Sequence, residues 1–239
     1  MSNELFQFSI VSALIDGVAS QGLPIYDLIS HGSFGLGTFR HIVGEMIILD
    51  GAVYQMKSDG SVLTIKSRAY DKTVTPFAMI THFQPSVTAK VHIQSKAKLA
   101  ELLSELITGT RNHYLSFKVY GNFKGIVVRT VGGQQGPHQS LAELGKKQVS
   151  HSFADIKGTI VGFRSPSFMQ GISVAGDHMH FISADKKHGG HLLECEAYGE
   201  VDLAVAHISS MRLQLPTGND DYNQARLILD AEGISTVEG

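Results

Sequence analysis

From Gly35 to Ala69 the chain reads GLGTFRHIVGEMIILDGAVYQMKSDGSVLTIKSRA, apolar and β-branched runs broken twice by Asp-Gly. Asp-Gly readily takes the two left-handed positions of the tightest hairpin turn, whose twist matches the strands it joins. Asp50-Gly51 and Asp59-Gly60 therefore predict successive antiparallel hairpins. TPFAMITHFQ reads as a further strand, and HYLSFKVYGNFKGIVVRTV as two strands around a Gly-Asn turn. KGTIVGFRSPS, GISVAGDHMHFIS, GHLLECEAYG and VDLAVAHISSMRLQLP continue the pattern. Strands that follow one another with few helices between them favour an α+β architecture with mixed or antiparallel sheets over an alternating doubly wound fold.

The helical signals are fewer. Leu5, Phe6, Ile10, Leu14 and Val18 recur at roughly helical spacing, which predicts an amphipathic helix over residues 4–19. LPIYDLISHG reads as a short helix stopped by Gly32, and Ser95 caps SKAKLAELLSELITG, which ends at Gly109. The polar tail PTGNDDYNQARLILDAEGISTVEG is expected to hold one last short helix. VGGQQGPHQSLAELGKK reads as a loop between two packed β-rich lobes, residues 1–135 with most of the flanking helices and residues 136–239. A length of 239 residues and 43% hydrophobic content suit such a core.

Charge and cysteine usage narrow the classes. A net charge of −2 leaves no footprint for nucleic acid or an anionic membrane. Cys195 is the single cysteine, so no intrachain disulfide can form. No window approaches the roughly 20 apolar residues of a spanning helix, and the start lacks a basic segment followed by an apolar core. The expectation is a soluble cytoplasmic protein.

Chemistry concentrates in HMHFISADKKHGGHLLECEA. Side chains two apart on a strand share a face, their α-carbons about 6.6 Å apart, so His178 and His180 point together. SADKKHGG supplies a hairpin loop, and His191 opens the returning strand. Three imidazoles without an obvious fourth protein ligand match an open, catalytic metal site. Zinc suits imidazole, though nickel, manganese or iron also bind such a set. The plainer alternative is strand histidines hydrogen-bonded to backbone or carboxylates. His188 is expected in the exposed turn, and Cys195 is expected to pack on the face of His191. Glu45 shares a strand face with Ile47 and Leu49, and Arg129 with Val127 and Val131. Buried charges cost several kcal/mol unless paired or ligand-bound, so the two form either a site or a structural salt bridge.

GISVAGDHMHFISADKKHGGHLLECEA resembles the metal-binding hairpin of the α-acetolactate decarboxylases. GLGTFRHIVGEMIILDGAVYQ, GNFKGIVVRTV and KGTIVGFRSPSFMQG stand in the family's order and spacing, so the likeness covers most of the chain. The resemblance implies zinc held by His178, His180 and His191. It implies active-site carboxylates at Glu45 and Glu238, with Glu232 competing for the second position, and an active-site arginine at Arg129. It also implies conversion of (S)-2-acetolactate to (R)-acetoin and CO2 in a homodimer. Two residues depart from the pattern. Asp177 stands where members often carry a bulkier, less polar residue, and His138 stands where a tyrosine is expected after the proline.

2-Acetolactate bears a carboxylate and a hydroxyl on one carbon, with a ketone beside it. Loss of CO2 leaves an electron pair to be held as an enediolate, which an open zinc chelating both oxygens would stabilise. Arg129 would hold the departing carboxylate, while Glu45 and Glu238 are candidates for proton transfer. Three rivals use the same residues differently. A cupin-like dioxygenase or isomerase also places His-x-His on a strand, a zinc hydrolase would use Glu45 as base, and a non-catalytic metal-binding protein would keep Glu45 and Arg129 as an inert pair.

Overall fold

The computed structural model describes residues 3–227. Its first half runs β1 (Asn3–Phe8), α1 (Val11–Ile15), β2 (Leu23–Pro24), α2 (Ile25–Leu28), β3 (Phe34–Thr38), β4 (Glu45–Leu49), β5 (Ala52–Met56), β6 (Val62–Ile65), β7 (Val74–Thr75) and β8 (Ala78–Thr81). Then come β9 (Val87–His92), α3 (Lys96–Leu106), β10 (Tyr114–Thr130), α4 (Leu141–Gly145) and β11 (Val149–Ser165). β12 (Gly176–Ser183), β13 (Gly189–Ala197), β14 (Glu200–Gln214) and α5 (Asp220–Gln224) complete the order. All strands except the short β2–β7 pair belong to one mixed sheet, the α+β arrangement that the strand succession predicts. No helix among the described residues is long and apolar enough to cross a membrane.

Both Asp-Gly pairs lie in the expected hairpins, but only the first forms the tight turn with both residues left-handed. Asp50 and Gly51 take φ values of 52° and 79° between β4 and β5. Between β5 and β6, the Asp59 carboxylate accepts from the Ser61 N–H at 2.9 Å and Gly60 takes φ 81°. Ser95 caps α3, its hydroxyl accepting from the Lys98 N–H at 3.1 Å. The helix then ends at Leu106, short of Gly109.

Three expectations need correction. The helix expected over 4–19 is instead β1, a left-handed turn at Ser9 and the short α1. Leu5 and Phe6 are both buried but in different core clusters, as neighbours on a strand buried on two faces must be. The segment 114–130 is one continuous strand, not two. Gly121 lies opposite Gly158 of β11, and a side chain there would come 2.4 Å from Val201 Cγ1, so this glycine admits a neighbouring strand and makes no turn. The loop after β10 holds α4, begun by a capping box in which the Ser140 hydroxyl accepts from the Glu143 N–H and the Glu143 carboxylate from the Ser140 N–H.

β10 organises the second half of the sheet. Its own first half pairs with β14, its second half with β13, and nearly its full length with β11. β11 pairs with β12 and β12 with β13, so four strands close a circuit of pairing. Phe117, Phe123, Ile126, Val128, Phe181 and Leu192 fill its core and α3 covers it through Leu99 and Leu103. The β12–β13 end of this circuit meets β4, where the site forms. β1 pairs in parallel with β14 and antiparallel with β8, joining the two halves of the sheet.

Candidate metal centre

Register places the expected residues in a row. Arg129 of β10 lies opposite His191 of β13, and His191 lies opposite His180 of β12. His178 shares the face of His180 two residues earlier. Pairwise ring centroids stand 5.0, 5.2 and 5.4 Å apart, and one nitrogen from each ring lies within 4.8 Å of the others. That spacing gathers three imidazoles around one point, and a small closing of the rings would bring each nitrogen to the roughly 2.0–2.1 Å of a zinc–imidazole bond. His188 lies outside the cluster, half-buried with its ring 4.9 Å from that of Phe153.

The glycines before His191 make the convergence possible. A side chain at Gly189 would meet the Phe181 carbonyl oxygen at 2.5 Å, and one at Gly190 the Arg129 carbonyl oxygen at 2.7 Å. Only bare backbone lets β13 lie this close to β12 and β10. Cys195 needs a correction too. A bulge between the Val127–Glu194 and Val128–Leu192 pairings reverses the alternation after Leu192, so Cys195 faces the core with Leu192 and points away from the histidines. Burial pushes its thiol up to about 12.

His180 shows most clearly that the donor set fits a metal. Its Nδ1 lies 2.8 Å from the Met46 carbonyl oxygen, which can only accept, so Nδ1 carries the hydrogen. Nε2 is left with its lone pair, buried and without a hydrogen bond, 3.5 Å from Glu45 Oε2. A carbonyl that fixes the tautomer of a ligating histidine is the usual outer support of a metal site. Arg129, 5% exposed, donates from Nη1 to Gln148 Oε1 at 3.2 Å. Glu45, Arg129, His178 and His191 line one cavity, closed on its apolar side by Leu14, Ile42 and Leu141. A larger groove of about 510 Å³ elsewhere on the surface has no histidine or carboxylate in its lining. Glu238 and Glu232 lie outside the described residues.

All three histidines are held neutral. Burial lowers His180 to about 4, helped by the charge of Arg129 and opposed by the Met46 hydrogen bond. Burial also holds His178 and His191 well below the usual imidazole range, with neighbouring imidazoles, Arg129 and Lys96 adding to it. These groups take up protons more readily in the unfolded chain, so protonation favours unfolding. The contribution of His180, about 3 kcal/mol, is complete above about pH 6.5 and is lost as pH falls toward 4, and His178 and His191 act in the same direction. Metal-stripped protein should therefore melt progressively lower between pH 7 and pH 4. A flat melting temperature across that window would contradict the neutral, buried cluster.

Lys96 escaped the sequence reading, which took its segment only as a helix. A signal was present: a lysine at the first helical position opposes the helix dipole. Burial, and next the charge of Arg129, hold its amine below the usual lysine range, against the pull of Asp177 and Glu194.

Known proteins resemble this chain in sequence and in fold. Residues 5–229 match the family model described as alpha-acetolactate decarboxylase. The chain is 37% identical to the alpha-acetolactate decarboxylase of Methanosarcina mazei over 224 residues, 93% of this chain and 75% of that protein. It is 38% identical to that of Raoultella terrigena, over 89% of this chain and 80% of the other. A crystal structure of the alpha-acetolactate decarboxylase from Bacillus subtilis strain 168 superposes with a TM-score of 0.92 at 30% identity, covering 99% of each chain. With sequence, fold and a buried histidine triad in agreement, the chain belongs to the alpha-acetolactate decarboxylase family and is an enzyme, a carboxy-lyase.

Proposed function

We propose that this chain converts (S)-2-acetolactate to (R)-acetoin and CO2 as a homodimer, with zinc held by His178, His180 and His191. The observation that carries the reading is the cross-strand row Arg129–His191–His180, with Glu45 Oε2 set 3.5 Å from the open nitrogen of His180. Bound there, the ion supplies positive charge that draws electron density from the ketone and hydroxyl oxygens of the substrate.

The protein's own groups do the rest. The Arg129 guanidinium binds the substrate carboxylate and so orients the bond that will break. When that bond breaks, its electron pair passes to the adjacent ketone as an enediolate, and the fixed charge of Arg129 favours the negative oxygen that develops. Leu14, Ile42 and Leu141 keep bulk water from the reacting carbon. One proton must reach that carbon to give acetoin, and Glu45 is the described carboxylate placed to deliver it. Glu238, with Glu232 as its competitor, remains the proposed second carboxylate on the family resemblance alone.

Acetoin formed from racemic 2-acetolactate by metal-stripped protein, before and after one equivalent of zinc, tests the reading. Zinc-dependent (R)-acetoin with equimolar CO2 is expected. Folded protein that binds zinc yet yields no acetoin, or consumes oxygen, would refute it.

A further inference from the structure

Asp177 stands directly before the first histidine and has a partner that the reaction does not use. Register sets Arg164 of β11 opposite Asp177 of β12. The guanidinium donates Nε–H to Oδ1 at 2.6 Å and Nη2–H to Oδ2 at 2.7 Å, with the two side chains only 17% and 10% exposed. Its remaining capacity goes to α3, from Nη2 to the Ala100 carbonyl oxygen and from Nη1 to Ser104 Oγ, both at 2.8 Å. A planar, multi-donor fork can grip a carboxylate and a helix together, which an ammonium cannot.

The other end of α3 is tied down as well. The Lys96 N–H donates to Glu194 Oε1 of β13 at 2.7 Å. The helix is thus fastened to the strands that carry all three histidines.

We propose that the Arg164–Asp177 pair is a positioning clamp, fixing β12 just before His178 and holding it against α3, so that the first imidazole of the triad is presented to a metal in one orientation. The effect of the clamp on metal binding does not rest on the decarboxylase reading. A structural ion pair would affect melting alone. A positioning clamp affects how the first proposed ligand is presented.

The test is Asp177→Asn, which keeps the shape but loses the charge and one acceptor of the fork. Its zinc dissociation constant, measured by chelator competition, should rise about tenfold or more, the usual cost of removing a group that orients a metal ligand. KM for 2-acetolactate should rise with it, and Asp177→Glu should recover part of both. Lower melting with wild-type zinc affinity and KM in Asp177→Asn would overturn the clamp. Should Asp177→Asn fail to fold, Arg164→Lys keeps the charge but cannot span both carboxylate oxygens and α3, and it is judged by the same readouts. Weaker zinc binding in the variant, alongside a parent protein that releases no CO2 from 2-acetolactate, would support the clamp while ending the decarboxylase reading.

Discussion

His180→Ala is expected to come through purification with little bound metal and with turnover reduced at least about 10³-fold, a loss of about 4 kcal/mol in barrier lowering. His180 is the most committed of the three proposed ligands. It is fully buried, its tautomer is fixed by the Met46 carbonyl, and it lies opposite His191 in register. Losing it removes one donor from a set of three and leaves the Met46 oxygen without its hydrogen bond, which costs a further ~1–3 kcal/mol of stability. Metal content, melting temperature and acetoin production, measured on one preparation, separate the two effects. Stoichiometric zinc and normal turnover in the variant would remove His180 from the site. Loss of activity with the metal fully retained would place its importance elsewhere than in ligation.

Arg129→Ala should lower kcat at least about 10²-fold while zinc remains bound, because its guanidinium is assigned to charge that develops during the reaction. Arg129→Lys should recover only part of this, since an ammonium cannot offer two parallel donors to a carboxylate. The rival view makes Arg129 and Glu45 an inert buried ion pair. Breaking such a pair typically destabilises by about 3–5 kcal/mol with no bearing on chemistry. Near-normal kcat together with a large drop in melting temperature would therefore favour the rival.

Local chemistry made the centre legible in the sequence. His178 and His180 share a face through strand periodicity alone, and the glycines before His191 announce a returning strand. Glu45 and Arg129 betray themselves as charges among apolar neighbours. What stayed hidden depends on contacts between distant segments. Leu5, Phe6, Ile10 and Leu14 mimic a helical stripe because a strand buried on both faces and a following helical turn can together show that spacing. Gly121-Asn122 looks like a turn because the close approach of Val201 cannot be read locally. The bulge that sends Cys195 away from the histidines has no sequence signature. The link from Arg164 to α3 joins a strand residue to Ala100 and Ser104, more than 50 positions away, through a geometry that only the folded chain supplies.

The parallel pairing of β1 with β14 bears on the order in which the molecule assembles. Phe6 meets Arg212 across 206 positions of sequence, so β1 cannot gain that neighbour until β14 has left the ribosome. Bringing such distant partners together carries a large loop-closure cost before any contact offsets it, and proteins rich in such pairings fold slowly. Before then, β1 can lean only on β8. The carboxylate of Glu45 and the guanidinium of Arg129 are both synthesised before the first histidine ligand exists. Any metal that the three histidines hold is therefore captured only once His191 has been made, close in time to the step that closes the sheet.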